Sequence, residues 1–104
     1  MMNLFEFIIF FVEKTLKENG KLIYANYVKT IFCENNTVND KHPYYIVCEW
    51  NNPQDGKKYM LKSKNIWWNP ECIIYRKNIQ TFPVYMDPNN SRKYIMDLDI
   101  LKED

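Results

Sequence analysis

Lys57, Lys58, Lys62 and Lys64 fall in one short stretch with Tyr59, Trp67 and Trp68, and their chemistry is the easiest in the chain to name. Ammonium groups meet phosphates and aromatic rings stack on bases, the pairing that single-strand nucleic-acid barrels present on a sheet face. Strand parity limits that idea. Lys58, Lys62 and Lys64 share one parity, so a regular strand sets them on one face and turns Tyr59 and Leu61 to the other. A solvated lysine face that discourages edge-to-edge pairing explains the same pattern. Trp67 and Trp68, as neighbours on a strand, point to opposite faces. One ring is then expected in the core, while the other covers an edge, stacks on a ligand or sits at a membrane interface. The bulk charge does not favour nucleic acid as a partner: 14 basic residues against 13 acidic leave a net +1, without the cationic surplus that phosphate neutralisation needs.

Catalytic and metal-binding groups are sparse. His42 is the single histidine and stands beside Pro43 without a paired ligand, so it reads as structural. Ser63 lacks a nucleophile-elbow setting, and Cys72 has no base near it in sequence. Asp87, Asp97 and Asp99 form a nominal acidic group, but Asp87-Pro88-Asn89 is more simply a turn whose carboxylate accepts from the backbone two residues on. Asp97 is expected to hydrogen-bond a strand end. No Cys-x-x-Cys pair and no glycine-rich phosphate loop occurs. Cys33, Cys48 and Cys72 each sit in an apolar run and read as buried free thiols, which points to a reducing, cytoplasmic setting. One bridge, between Cys33 and Cys48 across a hairpin, is the alternative. No catalytic residue, cofactor, metal site or small-molecule ligand follows from these residues, and the chain is not expected to be an enzyme. Asn35-Asn36-Thr37 and Asn89-Asn90-Ser91 match the glycosylation triplet, which has meaning only in a secretory context.

The elements that hold these residues are legible from periodicity. Met2 to Asn19 reads as a helix: Leu4, Phe5, Phe7, Ile8, Ile9, Phe10, Phe11, Val12 and Leu16 are apolar around a narrow polar stripe of Asn3, Glu6, Glu13, Lys14 and Lys17. Glu13 and Lys17 can pair, and Gly20 is expected to end the helix in a left-handed conformation. The apolar block is well short of the ~20 residues that span a bilayer. There is no basic leader or small-residue cleavage site, so a secretory signal is not expected. A helix apolar over so much of its circumference must bury that surface on the domain, on a second copy or in a membrane interface.

From Lys21 the period changes to two. Lys21–Phe32, Tyr44–Trp50, Lys57–Ser63, Cys72–Tyr75, Thr81–Met86 and Arg92–Asp97 read as strands. Polar turns separate them at 35–42, Asn51–Gly56 and Asp87–Asn90, and Asn69-Pro70 breaks the chain. Tyr44–Trp50 and Lys57–Ser63 form the clearest antiparallel hairpin. There are no repeats and no linker.

The landmarks Gly20-Lys21-Leu22-Ile23-Tyr24-Ala25, Pro43–Trp50, Gly56-Lys57-Lys58-Tyr59, Lys62-Ser63, Trp67 with Pro70, and Val84–Asn89 with Lys93-Tyr94 and Asp97 resemble a group of small, uncharacterised Gram-positive bacterial proteins. They are also similar to the β-domain of DUF3592-type membrane proteins, where such a domain follows or lies between membrane helices. The resemblance spans Gly20 to Leu101 and implies a fold more than a function; it carries over no catalytic residue. A full membrane helix, part of that pattern, is lacking here.

The sequence therefore predicts a mainly β (α+β) protein of 104 residues: an N-terminal helix over 1–20 and a single small β-domain over 21–104. That domain is an antiparallel barrel or sandwich of about six strands. The expected function is a non-enzymatic interaction or accessory module. Phe5, Ile8, Ile9, Phe11 and Val12 form the face that pairs with another copy or rests on the inner membrane surface. The rival is a single-stranded nucleic-acid barrel using Lys58, Lys62, Lys64, Trp67 and Trp68.

Overall fold

The computed structural model describes residues 3–34 and 40–102. The first glycosylation triplet and most of the expected 35–42 loop lie outside the described residues.

The helix α1 (Leu4–Asn19) leads into β1 (Lys21–Phe32), followed by β2 (Tyr44–Asn51), β3 (Lys58–Lys62), the short helix α2 (Glu71–Arg76), β4 (Thr81–Asp87), β5 (Asn90–Met96) and a 3₁₀ turn at Asp99–Leu101. The strands make one antiparallel sheet in the order β3-β2-β1-β4-β5, curled into a half-barrel. The fold is mainly β, as the alternation predicts.

β1 is the central strand because it is the longest alternating run and can serve a neighbour on each side. Lys21 to Asn26 pair with Met86 to Thr81 of β4, while Asn26 to Phe32 pair with Glu49 to Tyr44 of β2. A bulge at Val28 shifts the register between Tyr27 and Lys29. It keeps Thr30 on the concave face with Tyr27, whose hydroxyl lies 2.8 Å from the Thr30 hydroxyl. Pro83 tolerates an interior strand position because its missing donor falls where β5 has just ended: its carbonyl accepts from Asp97 N at 2.8 Å, past the last ladder pair Val84–Met96.

The concave face forms the core. Ile23, Ala25, Ile46, Cys48, Leu61, Phe82, Val84, Met86 and Met96 are buried there, joined by Ile66, Ile73, Ile74, Ile79 and Leu101 from the connecting segments. At the start of β1 and the tip of the β2–β3 hairpin, Lys21 lies 5.8 Å from the Trp50 ring and Trp50 packs against Tyr59. The two edges of the sheet also meet: the backbone N–H of Lys62 in β3 donates to the Tyr94 hydroxyl in β5 at 2.9 Å.

Three expectations need correction. Cys72–Tyr75 is not a strand but part of α2. Ile73 and Ile74 are adjacent and both buried, which a strand cannot do against one core but a helix can. The Asn69-Pro70 break is the start of this helix, with Glu71 N donating to Asn69 Oδ1 at 3.0 Å. Its end is fixed by Asn78 at φ 53, and Ile79 N reaches back to Ile74 O at 2.9 Å. The strand count is accordingly five.

Gly20 does end α1, its N–H bonding Leu16 O at 2.7 Å, but not through a left-handed conformation; the glycine with positive φ is Gly56, at 70° in the β2–β3 turn. At Gly20 the requirement is close approach. A Cβ there would lie 2.3 Å from the Leu16 carbonyl oxygen and 3.1 Å from that of Met86.

The third concerns the cysteines. Cys48 is buried, Cys33 half-buried and Cys72 exposed on α2, all of them free thiols. Cys48 stands opposite Tyr27, whereas Cys33 N bonds Pro43 O beyond the other end of that ladder. The two are not cross-strand partners, so the alternative bridge does not form.

Phe82 is fully buried on the central pair of strands and fills the middle of the core. Phe82→Ala is expected to cost about 3–5 kcal/mol of unfolding free energy, measured by urea denaturation.

Candidate functional site

The fold anchors α1 at its C-terminal end. Leu16 is buried, and the chain beyond it is pinned by Gly20 against Met86. In the preceding turns the apolar side chains that are described stand at the surface. Leu4 is 76% and Phe11 60% exposed, and Ile8, Ile9 and Val12 are exposed as well. The side chain of Phe5 lies outside the described residues. Four of the five residues expected to form a contact face, Ile8, Ile9, Phe11 and Val12, are thus exposed apolar groups.

Ile8, Ile9 and Val12 line one groove, and Phe11 does not. Leu4, Ile8, Phe11 and Thr15 follow at spacings of four, three and four, an outward stripe along the helix. Ile9 and Val12 sit nearer the Leu16 side and look back toward the domain. There, with Ile8, they border a groove of about 280 Å³, closed on its other side by Lys62, Lys64, Tyr94, Ile95 and Met96. Leu4 and Tyr94 were not among the expected contact residues. The four-three-four spacing could have drawn in Leu4, but Tyr94 matters only because the sheet curls.

The lysines separate. Lys58 is engaged by Glu49 across the strand pair at 3.5 Å, and the Lys62 ammonium lies 5.6 Å from the Tyr45 ring on the convex face. Lys64 lies beyond β3 and faces the groove. Parity is right for Tyr59 and Leu61, which turn inward. It fails for the tryptophans. Trp67 is 44% and Trp68 46% exposed, so neither ring enters the core. The reason is that β3 stops at Lys62, and a lone bridge between Ile66 and Tyr44, with two 2.7 Å hydrogen bonds, seats Ile66 inside instead. Beyond it the chain bends, and strand alternation no longer governs residues 67 and 68. Trp68 borders a second groove of about 390 Å³ with Cys72, Ile73 and Leu101.

The remaining polar groups singled out by the sequence make local hydrogen bonds. His42 Nδ1 lies 3.0 Å from the Cys33 carbonyl, and its ring packs against Phe32. Ser63 is buried with its hydroxyl accepting from Ile46 N at 2.9 Å and donating to Lys64 O at 2.8 Å. Asp87 accepts from Asn89 N at 2.8 Å, and Asp97 accepts from Asp99 N at 2.9 Å. Both carboxylates fix turns. Among the described residues no group of His, Cys, Asp and Glu could hold a metal ion, and no helix is long and apolar enough to cross a membrane.

No protein-family model, curated protein or solved structure matches the chain.

Two electrostatic features are testable. Asp55 accepts from the Tyr59 hydroxyl and from Lys57 N, which holds its carboxyl below the usual value and raises the phenol above its own. A depressed carboxylate stabilises the fold above its unfolded pKa, and that contribution disappears as pH falls through the lower folded value. Tyr59→Phe should flatten this acid-side slope in urea midpoints recorded across the carboxylate range. Burial pushes the Cys48 thiol up to about 12, so it stays neutral and unreactive. A thiol-reactive chromophore should label Cys72 at once and Cys48 only on unfolding.

Proposed function

We propose that this chain is a non-enzymatic interaction module that pairs with a second copy of itself through α1. The observation that carries the reading is the exposed stripe Leu4, Ile8, Phe11 and Thr15. Its spacing is the seam along which two helices interdigitate side chains. Thr15 suits such a seam because its hydroxyl is already spent on the Phe11 carbonyl, at 2.9 Å. A membrane surface fits less well. Interfacial helices carry Lys and Arg on the polar face, whereas α1 holds Glu6, Glu13 and Glu18 against Lys14 and Lys17, three negative charges to two positive. The resemblance of the β-domain to membrane-protein domains makes the bilayer the outcome to test against.

A second reading, single-stranded nucleic-acid binding, draws on the exposure of both tryptophans next to Lys64. The Lys58–Glu49 pair weakens it. It requires tryptophan quenching by oligonucleotides that fades steeply with salt.

Sedimentation of the full chain should show a concentration-dependent dimer that Phe11→Glu converts to monomer without loss of folded structure. A monomer at every concentration, or vesicle binding that depends on Phe11, overturns self-association.

A further inference from the structure

Between β1 and α2 lies a pocket of about 600 Å³ that shares no residue with the α1 groove. Ile74 and Ile79 are buried and give it an apolar floor. Tyr27 stands on the strand side, and Glu71, Tyr75 and Asn78 on the helix side.

The local structure brings these groups together. Glu71 and Tyr75 are four residues apart on α2 and so share one side of it. Asn78, at φ 53, follows the helix with its N–H on the Tyr75 carbonyl at 3.1 Å. Gln80 then accepts the Tyr27 N–H at 2.9 Å, which ties the segment after α2 to the strand that carries Tyr27. Tyr27 is held further by Thr30, whose Oγ1 lies 2.8 Å from its hydroxyl, and by the Phe82 ring at 6.2 Å. Tyr75, by contrast, is 88% exposed. One ring of the pocket is fixed and the other is free to adjust.

The pocket has one sign of charge. Glu71 forms no ion pair among the described residues, and no Lys or Arg among them lines the pocket. A carboxylate beside two phenol rings, whose faces are negative, attracts a cation. The apolar floor favours one that is weakly hydrated. A primary ammonium brings three N–H donors that need acceptors, and the Tyr27 hydroxyl is already engaged by Thr30. A trimethylammonium group carries the charge without any donor and presents methyl groups to rings and isoleucines. The volume lies within the ~300–1,000 Å³ typical of small-molecule sites.

We propose that this pocket binds a small trimethylammonium cation, with Tyr27 and Tyr75 against its methyl groups and Glu71 as the counter-charge. The test is an NMR titration of the full chain with choline, beside its neutral carbon isostere 3,3-dimethylbutan-1-ol and phosphatidylcholine vesicles. The expected result is saturable shifts of the Tyr27 and Tyr75 ring signals at one choline per chain, with the isostere about tenfold weaker. Glu71→Gln should weaken choline about tenfold, and Tyr75→Leu about threefold to thirtyfold. Tyr75→Phe should keep most of the binding, because the ring and not the hydroxyl makes the contact. Both positions are exposed, so these variants keep the fold. A carboxylate present only to complement the start of α2 would leave choline affinity unchanged in Glu71→Gln. Absence of saturable shifts, equal affinity for the isostere, indifference to Glu71→Gln or to Tyr75→Leu, or binding of vesicles without binding of free choline each overturns the proposal.

Discussion

The backbone N–H of Lys62 bonded to the hydroxyl of Tyr94 joins the two outer strands of a five-stranded sheet. Such a contact is possible only if the sheet closes most of the way on itself. An open sheet leaves two rows of unpaired backbone groups that invite other strands. Here β3 and β5 are short, lysines mark their exposed faces, and a side chain supplies the acceptor where the ladder cannot close. Because the bond is made by a tyrosine and not by a strand, no ladder joins the two edges. The gap left on that side is where α1 lies, so curl, gap and groove are consequences of one incomplete closure.

The connecting segments finish what the sheet leaves open. The β3–β4 connection folds back through the Ile66–Tyr44 bridge and the short helix α2, delivering Ile66, Ile73, Ile74 and Ile79 to the core. Lys77 at the end of α2 then donates to the carbonyls of Ile100 and Lys102 at 3.0 and 2.7 Å, holding the 3₁₀ turn that buries Leu101. A domain this small buries a modest fraction of its surface, so a few isoleucines placed by loops matter as much as those on strands.

The strands were legible because period-two alternation over Lys21–Phe32, Tyr44–Asn51 and Thr81–Asp87 leaves little choice of face. The Asn52–Gly56 turn was legible from residue chemistry alone. What escaped was what alternation cannot decide. Cys-Ile-Ile-Tyr is too short for its period to separate strand from helix, and Asn-Pro marks a helix start as readily as a break. The tryptophan pair was misread because strand parity was extended past Lys62, where the strand had already stopped. On α1, the apolar width was plain in the sequence. The division into an outward stripe and an inward groove wall required knowing that Leu16 docks.

That docking follows from Gly20. With no side chain there, the last turn of α1 reaches within van der Waals range of the Met86 carbonyl, and Leu16 is drawn into the domain. The constraint is local: it fixes where the helix leaves the sheet. Ile9 and Val12 stay 43% and 36% exposed beside Ile95 and Met96 of β5. The exposed apolar length of α1 is therefore the product of a tight anchor at its C-terminal end and a sheet edge that closes through a tyrosine rather than a strand. A helix held in this way presents apolar side chains both to solvent and to the groove, and Ile8 lies on the border between the two.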